Sequence, residues 1–168
     1  MTRVAVNRFC AISGFAAFLF LFLIGDAKST TLIQKDLDDL IIESEHIILG
    51  TVIAKSSDWS VNYAQRKSLI YTTYTIKVEQ AIKGEDKGTL QFRTVGGQSG
   101  SCLLHVPGVP HFDIGERTIL FLRSQIPDAI CDVVGFEQGR YTVIEDTVVE
   151  NGMKLNEFLA MVSGKLNR

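Results

Sequence analysis

His105, His111 and Asp113 are the only residues of this chain whose types and nearness in sequence suggest metal chemistry, since imidazole and carboxylate are common zinc donors. Their spacing straddles Pro107-Gly108-Val109-Pro110 and fits no zinc-ligand pattern, and the third histidine, His46, lies far away in sequence. Solvated loop and edge positions are therefore expected for all three, with no bound metal and no cofactor. Gly97-Gln98-Ser99-Gly100 approaches a nucleophile loop, but Gly-x-Ser-x-Gly fails because Ser stands at 101, and no His or Asp sits in a partnering motif. Carboxylates fall in turns and on the outer face of a short helix, so no acid–base pair is indicated. No phosphate-cradling glycine loop occurs. The side chains best suited to contact are aromatic: Trp59, beside Asp58, and Tyr71, on the solvent side of an alternating strand. Both supply large, stiff, amphipathic area at interfaces, and ordinary packing is the competing explanation for each.

Those residues must be positioned by what remains after export. Arg3 and Arg8 give a basic start, Phe9 to Gly25 carries no charge, and Gly25-Asp26-Ala27 ends the stretch with small residues. This is the pattern of a secretory signal peptide over residues 1–27, cleaved after Ala27. An uncleaved anchor is the alternative, the apolar run being at the short end of spanning length. Residues 28–168 are then expected to form a single domain, secreted or periplasmic, with no membrane association after cleavage. Cys10 leaves with the signal, so Cys102 and Cys131 remain, and two cysteines in an exported chain suggest one disulfide. The net charge of −2, with Lys and Arg scattered, argues against a nucleic-acid partner, because such proteins concentrate basic residues to displace counterions.

Hydrophobic periodicity predicts the elements. Thr31-Leu32-Ile33-Gln34 has capping-box form, and Ile33, Leu37, Leu40 and Ile41 continue as a helical stripe. Ile47 to Ala54 is β-branched and apolar on both faces, with Gly50 at a bend or bulge. Leu69 to Glu79 alternates, placing Ile70, Thr72, Tyr74, Ile76 and Val78 on one face. A turn at residues 83–88 leads to Thr89 to Val95, with Leu90 and Phe92 inward. A Gly/Ser loop at 96–101 precedes a brief strand at Cys102 to Val106, and Thr118 to Leu122 reads as a fully apolar strand. Ile130 to Phe136 and Arg140 to Ile144 are expected to form a hairpin across Gln138-Gly139, with another turn at Asn151-Gly152. Leu155, Phe158, Leu159, Val162 and Leu166 give a closing helix interrupted near its end by Gly164. Many short strands with frequent turns indicate a mainly β chain closed as a small barrel or sandwich.

Three stretches carry a family resemblance: Ser44-Glu45-His46-Ile47-Ile48-Leu49-Gly50-Thr51-Val52, Tyr74 through Lys83-Gly84 followed by Cys102, and Ile114-Gly115-Glu116-Arg117 through Leu122. Over about residues 44–145 the chain resembles the netrin-module and metalloproteinase-inhibitor (TIMP-like) OB-fold superfamily. It is also similar to small exported bacterial proteins that carry a segment like Val106-Pro107-Gly108-Val109-Pro110-His111-Phe112. The resemblance implies a mainly β fold: a small OB-like (Greek-key) β-barrel with an N-terminal and a C-terminal flanking helix, used to bind proteins. Inhibitor members bind a protease zinc through an N-terminal Cys, whereas a chain beginning near Lys28 has no Cys before Cys102. That chemistry does not transfer. The expected function is an exported, non-enzymatic binding domain whose partner is a protein, met by the barrel face or by the loops around 56–68 and 96–112. The alternatives are a metal-dependent or other hydrolase on the same scaffold, which needs His105 and His111 to converge with a further ligand, and an envelope-assembly subunit.

Overall fold

The computed structural model describes residues 33–62, 67–124 and 130–167, so the expected signal segment 1–27 lies outside the described residues. The chain enters through helix α1 (Leu37–Glu43), whose cap differs from the sequence expectation. Asp36 is the N-cap: its side chain accepts from the Asp39 amide, and the Asp39 carboxylate accepts from the Asp36 amide. Two aspartates thus make the reciprocal cap that Thr31 and Gln34 were expected to make. Ile33 is left outside the helix and exposed.

Strands β1 (His46–Asn62), β2 (Lys67–Lys83) and β3 (Thr89–Val95) follow as an antiparallel meander. A small separate hairpin follows: β5 (Cys102–Leu104) lies within the brief strand expected at Cys102 to Val106, and β4 (Gly97–Ser99) is a strand where the sequence predicted a flexible loop. Strand β6 (Arg117–Ser124) returns to pair with β1, and β7 (Cys131–Val133) pairs antiparallel with β6 and parallel with β3. The order β1-β2-β3-β7-β6 therefore closes back on β1 as a ring of five strands in a mainly β fold. Strands β8 (Arg140–Ile144) and β9 (Thr147–Val148) extend the sheet beside β6, and helix α2 (Leu155–Leu166) ends the described chain, running through Gly164 without a break.

The two strands that read as apolar on both faces have a core on each side. On one side Ile48, Val52, Leu120 and Leu122 meet Tyr74, Ile76, Phe92, Phe112, Cys131 and Val133 inside the ring. On the other, Ile47, Leu49, Ile119 and Phe121 meet Leu40 and Ile41 of α1 and Leu155, Phe158 and Val162 of α2. Burying each such aliphatic side chain is worth about 1.5–3 kcal/mol, so β1 and β6 form the stable spine that both layers share. Gly50 permits this: a Cβ there would run into the Lys77 carbonyl, and the register shifts between Leu49 and Gly50 as a bulge requires.

One turn prediction is corrected. β7 and β8 are not a hairpin, because both pair with the same edge of β6, β7 at Leu122 to Ser124 and β8 at Thr118 to Leu120. They run in the same direction as a single interrupted strand, and the 3-10 turn Phe136–Gly139 is the interruption. The tight hairpin lies between β8 and β9, where Glu145 and Asp146 take φ of 48° and 58° without any glycine. The turn expected at Asn151-Gly152 is present: it brings Lys154 back beside Thr147, with the Val148 amide donating to the Met153 carbonyl at 2.8 Å and the Met153 amide donating to the Asn151 side chain, and leads into α2.

Candidate ligand cleft

Strand register assembles the site. Phe92, Cys131 and Leu122 point into the ring, so their neighbours Arg93, Asp132 and Arg123 point out. Arg93 pairs with Asp132, and Asp132 pairs with Arg123. The three side chains therefore stand in a row on the outer face of β3, β7 and β6, about 4.8 Å apart by strand spacing. On the same outer face of β2, Tyr71 lies under Arg93, whose guanidinium carbon is 5.0 Å from the ring centroid. Arg123 also reaches Glu43 of α1 at 3.8 Å.

A cleft of about 480 Å³ opens over this row. Its apolar walls are Leu69, Val95, Leu104, Val106, Val109 and Phe136, and its polar groups are Tyr71, Arg93, Arg123 and Asp132. Apolar walls with a few convergent polar groups, at this volume, are the usual make-up of a ligand site. One feature marks the rim as specialised. Phe136 is half-exposed and held at φ of 58°, a conformation that bulky residues avoid and that clusters at functional sites. Thr94 borders the cleft with its backbone, while its side chain alternates to the interior face with Phe92, where its hydroxyl is buried without a hydrogen-bond partner in the protein. The 3-10 turn is tied to the opposite wall by the Glu137 amide donating to the Gly108 carbonyl, 3.2 Å.

The segment Val106 to Phe112 forms one wall and closes the barrel interior. Val109 and Pro110 are buried, and Phe112 packs edge-on against Tyr74 and Phe92 with ring centroids 5.1 Å apart in each case. Arg140 stacks over Phe112 at 5.1 Å and donates to Glu116 at 2.8 Å, so a partly buried ion pair clamps the plug. Lys55 holds Asp113 at 2.9 Å, and that ammonium keeps the Asp113 carboxyl below its ordinary range.

The sequence-predicted residues separate as follows. Tyr71 lies in the cleft. Trp59 pairs with Ile70 across the β1–β2 arm whereas Tyr71 pairs with Asp58, so the two aromatics occupy opposite faces of the arm and cannot form one contact surface. His105 and His111 come together, with stacked rings 5.7 Å apart, but Asp113 is engaged by Lys55. Among the described residues, no group of three or more His, Cys, Asp or Glu is placed to hold a metal ion. The expected Cys102–Cys131 disulfide is corrected: both thiols are free, Cys102 exposed on the β4–β5 hairpin and Cys131 buried in the ring, so they lie on different sheets. The expected loop at 56–68 is for the most part paired strand, from Ser56 opposite Thr73 to Asn62 opposite Lys67. Neither a family model nor a curated protein matches the chain. The geometry of the cleft therefore carries the functional argument.

A second, shallower hollow lies at the start of α2, lined by Arg117, Asp146, Lys154 and Asn156. Its Arg117 is already engaged by Glu79 at 2.8 Å and Asp146 at 2.9 Å. The Arg93, Asp132 and Arg123 row was missed at the sequence level because each residue comes from a different strand. The alternation in Thr89 to Val95, which turns Arg93 outward once Phe92 is inward, was the one available signal.

Proposed function

We propose that this chain is an exported, non-enzymatic binding domain built on an OB-like barrel of the netrin-module and TIMP-like kind, and that it holds a protein partner in the outer cleft. The strand order β1-β2-β3-β7-β6, returning to β1 with a parallel β3–β7 contact, supports the OB-like reading, since that barrel is a five-stranded Greek key. The observation that carries the binding reading is the cleft: apolar walls over a row of charged side chains, with the strained Phe136 at its rim.

The test is photo-crosslinking in the producing cell. A photoreactive phenylalanine analogue at Phe136 should give a discrete protein adduct, lost when Tyr71→Ala is added, while the same analogue at exposed Ile144, outside the cleft lining, should give none. Equal adducts at both positions, or none at Phe136, would overturn the reading. A hydrolytic rate of the purified protein that disappears in His105→Ala would replace it with the enzyme alternative.

A further inference from the structure

We infer that the chain pairs with a second copy of itself along the outer edge of its β1 arm, the two arms lying antiparallel about a two-fold axis at Ser57. The stretch concerned, Ala54 to Ser60, contains none of the residues that line the cleft.

The edge comes first. β1 is 17 residues long but has a neighbour on both sides only in its first part. Its pairing with β6 ends at Thr51 opposite Arg117. Bonding on that side stops at Val52, whose amide donates to the Glu116 carbonyl and whose carbonyl accepts from the Gly115 amide. From Ala54 to Asn62 the strand pairs with β2 alone among the described residues. An antiparallel strand turns its N–H and C=O groups alternately to each side, so every second residue of this stretch presents its backbone away from β2. Edges of such length are ordinarily blunted by proline, by charge or by a covering segment. Ala54 to Val61 has no proline, one lysine and one aspartate. Trp59 and Val61 keep half or more of their surface in water, and Ile53, at the bulge that begins the free stretch, nearly as much.

Any extended strand could take those backbone groups, and the order of side chains along the edge selects a second copy. Directly opposed residues of an antiparallel pair share a face. A two-fold axis normal to the sheet keeps each residue on the same face in both copies, so the axis passes through a residue and not between two. The partners of β1 on β2 fix the faces: Lys55, Ser57 and Trp59 stand with Tyr74, Thr72 and Ile70 on the inner side, and Ser56 and Asp58 with Thr73 and Tyr71 on the outer. An axis at Lys55 or at Asp58 would set that charge against its own copy, which is destabilising. An axis at Trp59 leaves Lys55 beyond the overlap of the described strands and sets Ser57 against Val61. An axis at Ser57 opposes Ser56 to Asp58 of the second copy, a hydroxyl to a carboxylate, twice by symmetry. It also opposes Lys55 to Trp59 of the second copy. The Lys55 ammonium is turned back to Asp113 at 2.9 Å, which leaves its methylene stem for the half-exposed indole to cover. Main-chain bonds supply the affinity of such strand addition, and charge and bulk set its register. The product is a four-stranded sheet of two arms, β2-β1-β1-β2.

The purified protein is followed by sedimentation velocity up to millimolar concentration, and a concentration-dependent dimer is expected. Ser56→Asp sets a carboxylate against Asp58 of the second copy at two symmetric places and should weaken the dimer about tenfold; adding Asp58→Lys should restore it. For register, Ser56→Cys, Asp58→Cys and Ser60→Cys are each made with Cys102→Ser, Cys131 being buried. Oxidation of Ser56→Cys mixed with Asp58→Cys should give a cross-linked dimer in far higher yield than either variant alone, or than Asp58→Cys mixed with Ser60→Cys. Thermal unfolding of every variant confirms its fold. A monomer at all concentrations would overturn the inference, as would a dimer that is indifferent to Ser56→Asp or whose mixed cysteines do not cross-link, since it would use another face. Preferential cross-linking of Asp58→Cys with Ser60→Cys would overturn the axis at Ser57. None of these readouts involves Phe136, so the cleft proposal and this one fail separately.

Discussion

At the scale of single residues, Cys131 shows how burial decides chemistry. Its thiol sits inside the ring, where removal from water pushes its pKa above the ordinary range against the lowering effect of a Ser124 hydrogen bond. A thiol must ionise to react, so Cys131 is protected while exposed Cys102 is not. Alkylation of the native protein at pH 8, mapped by peptide mass, should label Cys102 within minutes and Cys131 only after denaturation; rapid labelling of both would show that the interior is open. The buried thiol also gives stability a pH dependence of known sign. Its folded pKa lies above the unfolded value of about 8.5, so its contribution is complete below that pH and is lost as pH rises through the folded value. Denaturant midpoints measured from pH 7 to 10 should therefore fall. Gly50 is the other single position with a sharp consequence. Gly50→Ala drives a methyl into the Lys77 carbonyl and the Ile76 side chain, so a loss of about 1–3 kcal/mol is expected from overpacking, readable by urea denaturation.

At the scale of elements, the Val106 to Phe112 segment and the outer β1–β2 arm make opposite uses of an aromatic. Phe112 is enclosed by Tyr74 and Phe92, whereas Trp59 covers Ile70 while keeping over half its own surface in water. Phe112→Ala should cost about 3–5 kcal/mol and Trp59→Ala clearly less. Equal losses in thermal unfolding would mean that the arm is as much core as the plug. The same contrast explains what could be read from sequence. The alternation from Ile70 to Ile76, and the two-sided apolar runs in β1 and β6, are legible because side-chain period and burial coincide there. The β7–β8 relation was not legible: two β runs about Gln138-Gly139 fit a hairpin locally, and only competition for the single free edge of β6 lays them end to end. The arm was hidden by its composition, since Ser56, Ser57, Asp58 and Ser60 read as loop until paired with Leu69 to Thr73. Of the cleft, Tyr71 was visible as the outward aromatic of an alternating strand. The arginine row was not, because it exists only once β3 and β7 lie side by side.

At the scale of the whole molecule, the ring is fastened unevenly. The β1–β2 ladder runs from Ile47 opposite Lys83 to Asn62 opposite Lys67, and β1–β6 from His46 opposite Leu122 to Thr51 opposite Arg117. The β3–β7 contact has only Phe92 opposite Cys131 and Arg93 opposite Asp132. It also joins segments distant in the chain, so its closure entropy is recovered last during folding. Such a junction behaves as a clasp, opening in fluctuations too small to unfold the spine. Hydrogen exchange should show this directly, with the amides that bridge β3 and β7 at Phe92–Arg93 and Cys131–Asp132 exchanging faster than those of Ile47 to Leu49. Uniform rates would mean that the ring opens only as a whole. Because the clasp borders the cleft, breathing there widens the cleft mouth, and a bound ligand would slow exchange in both strands together.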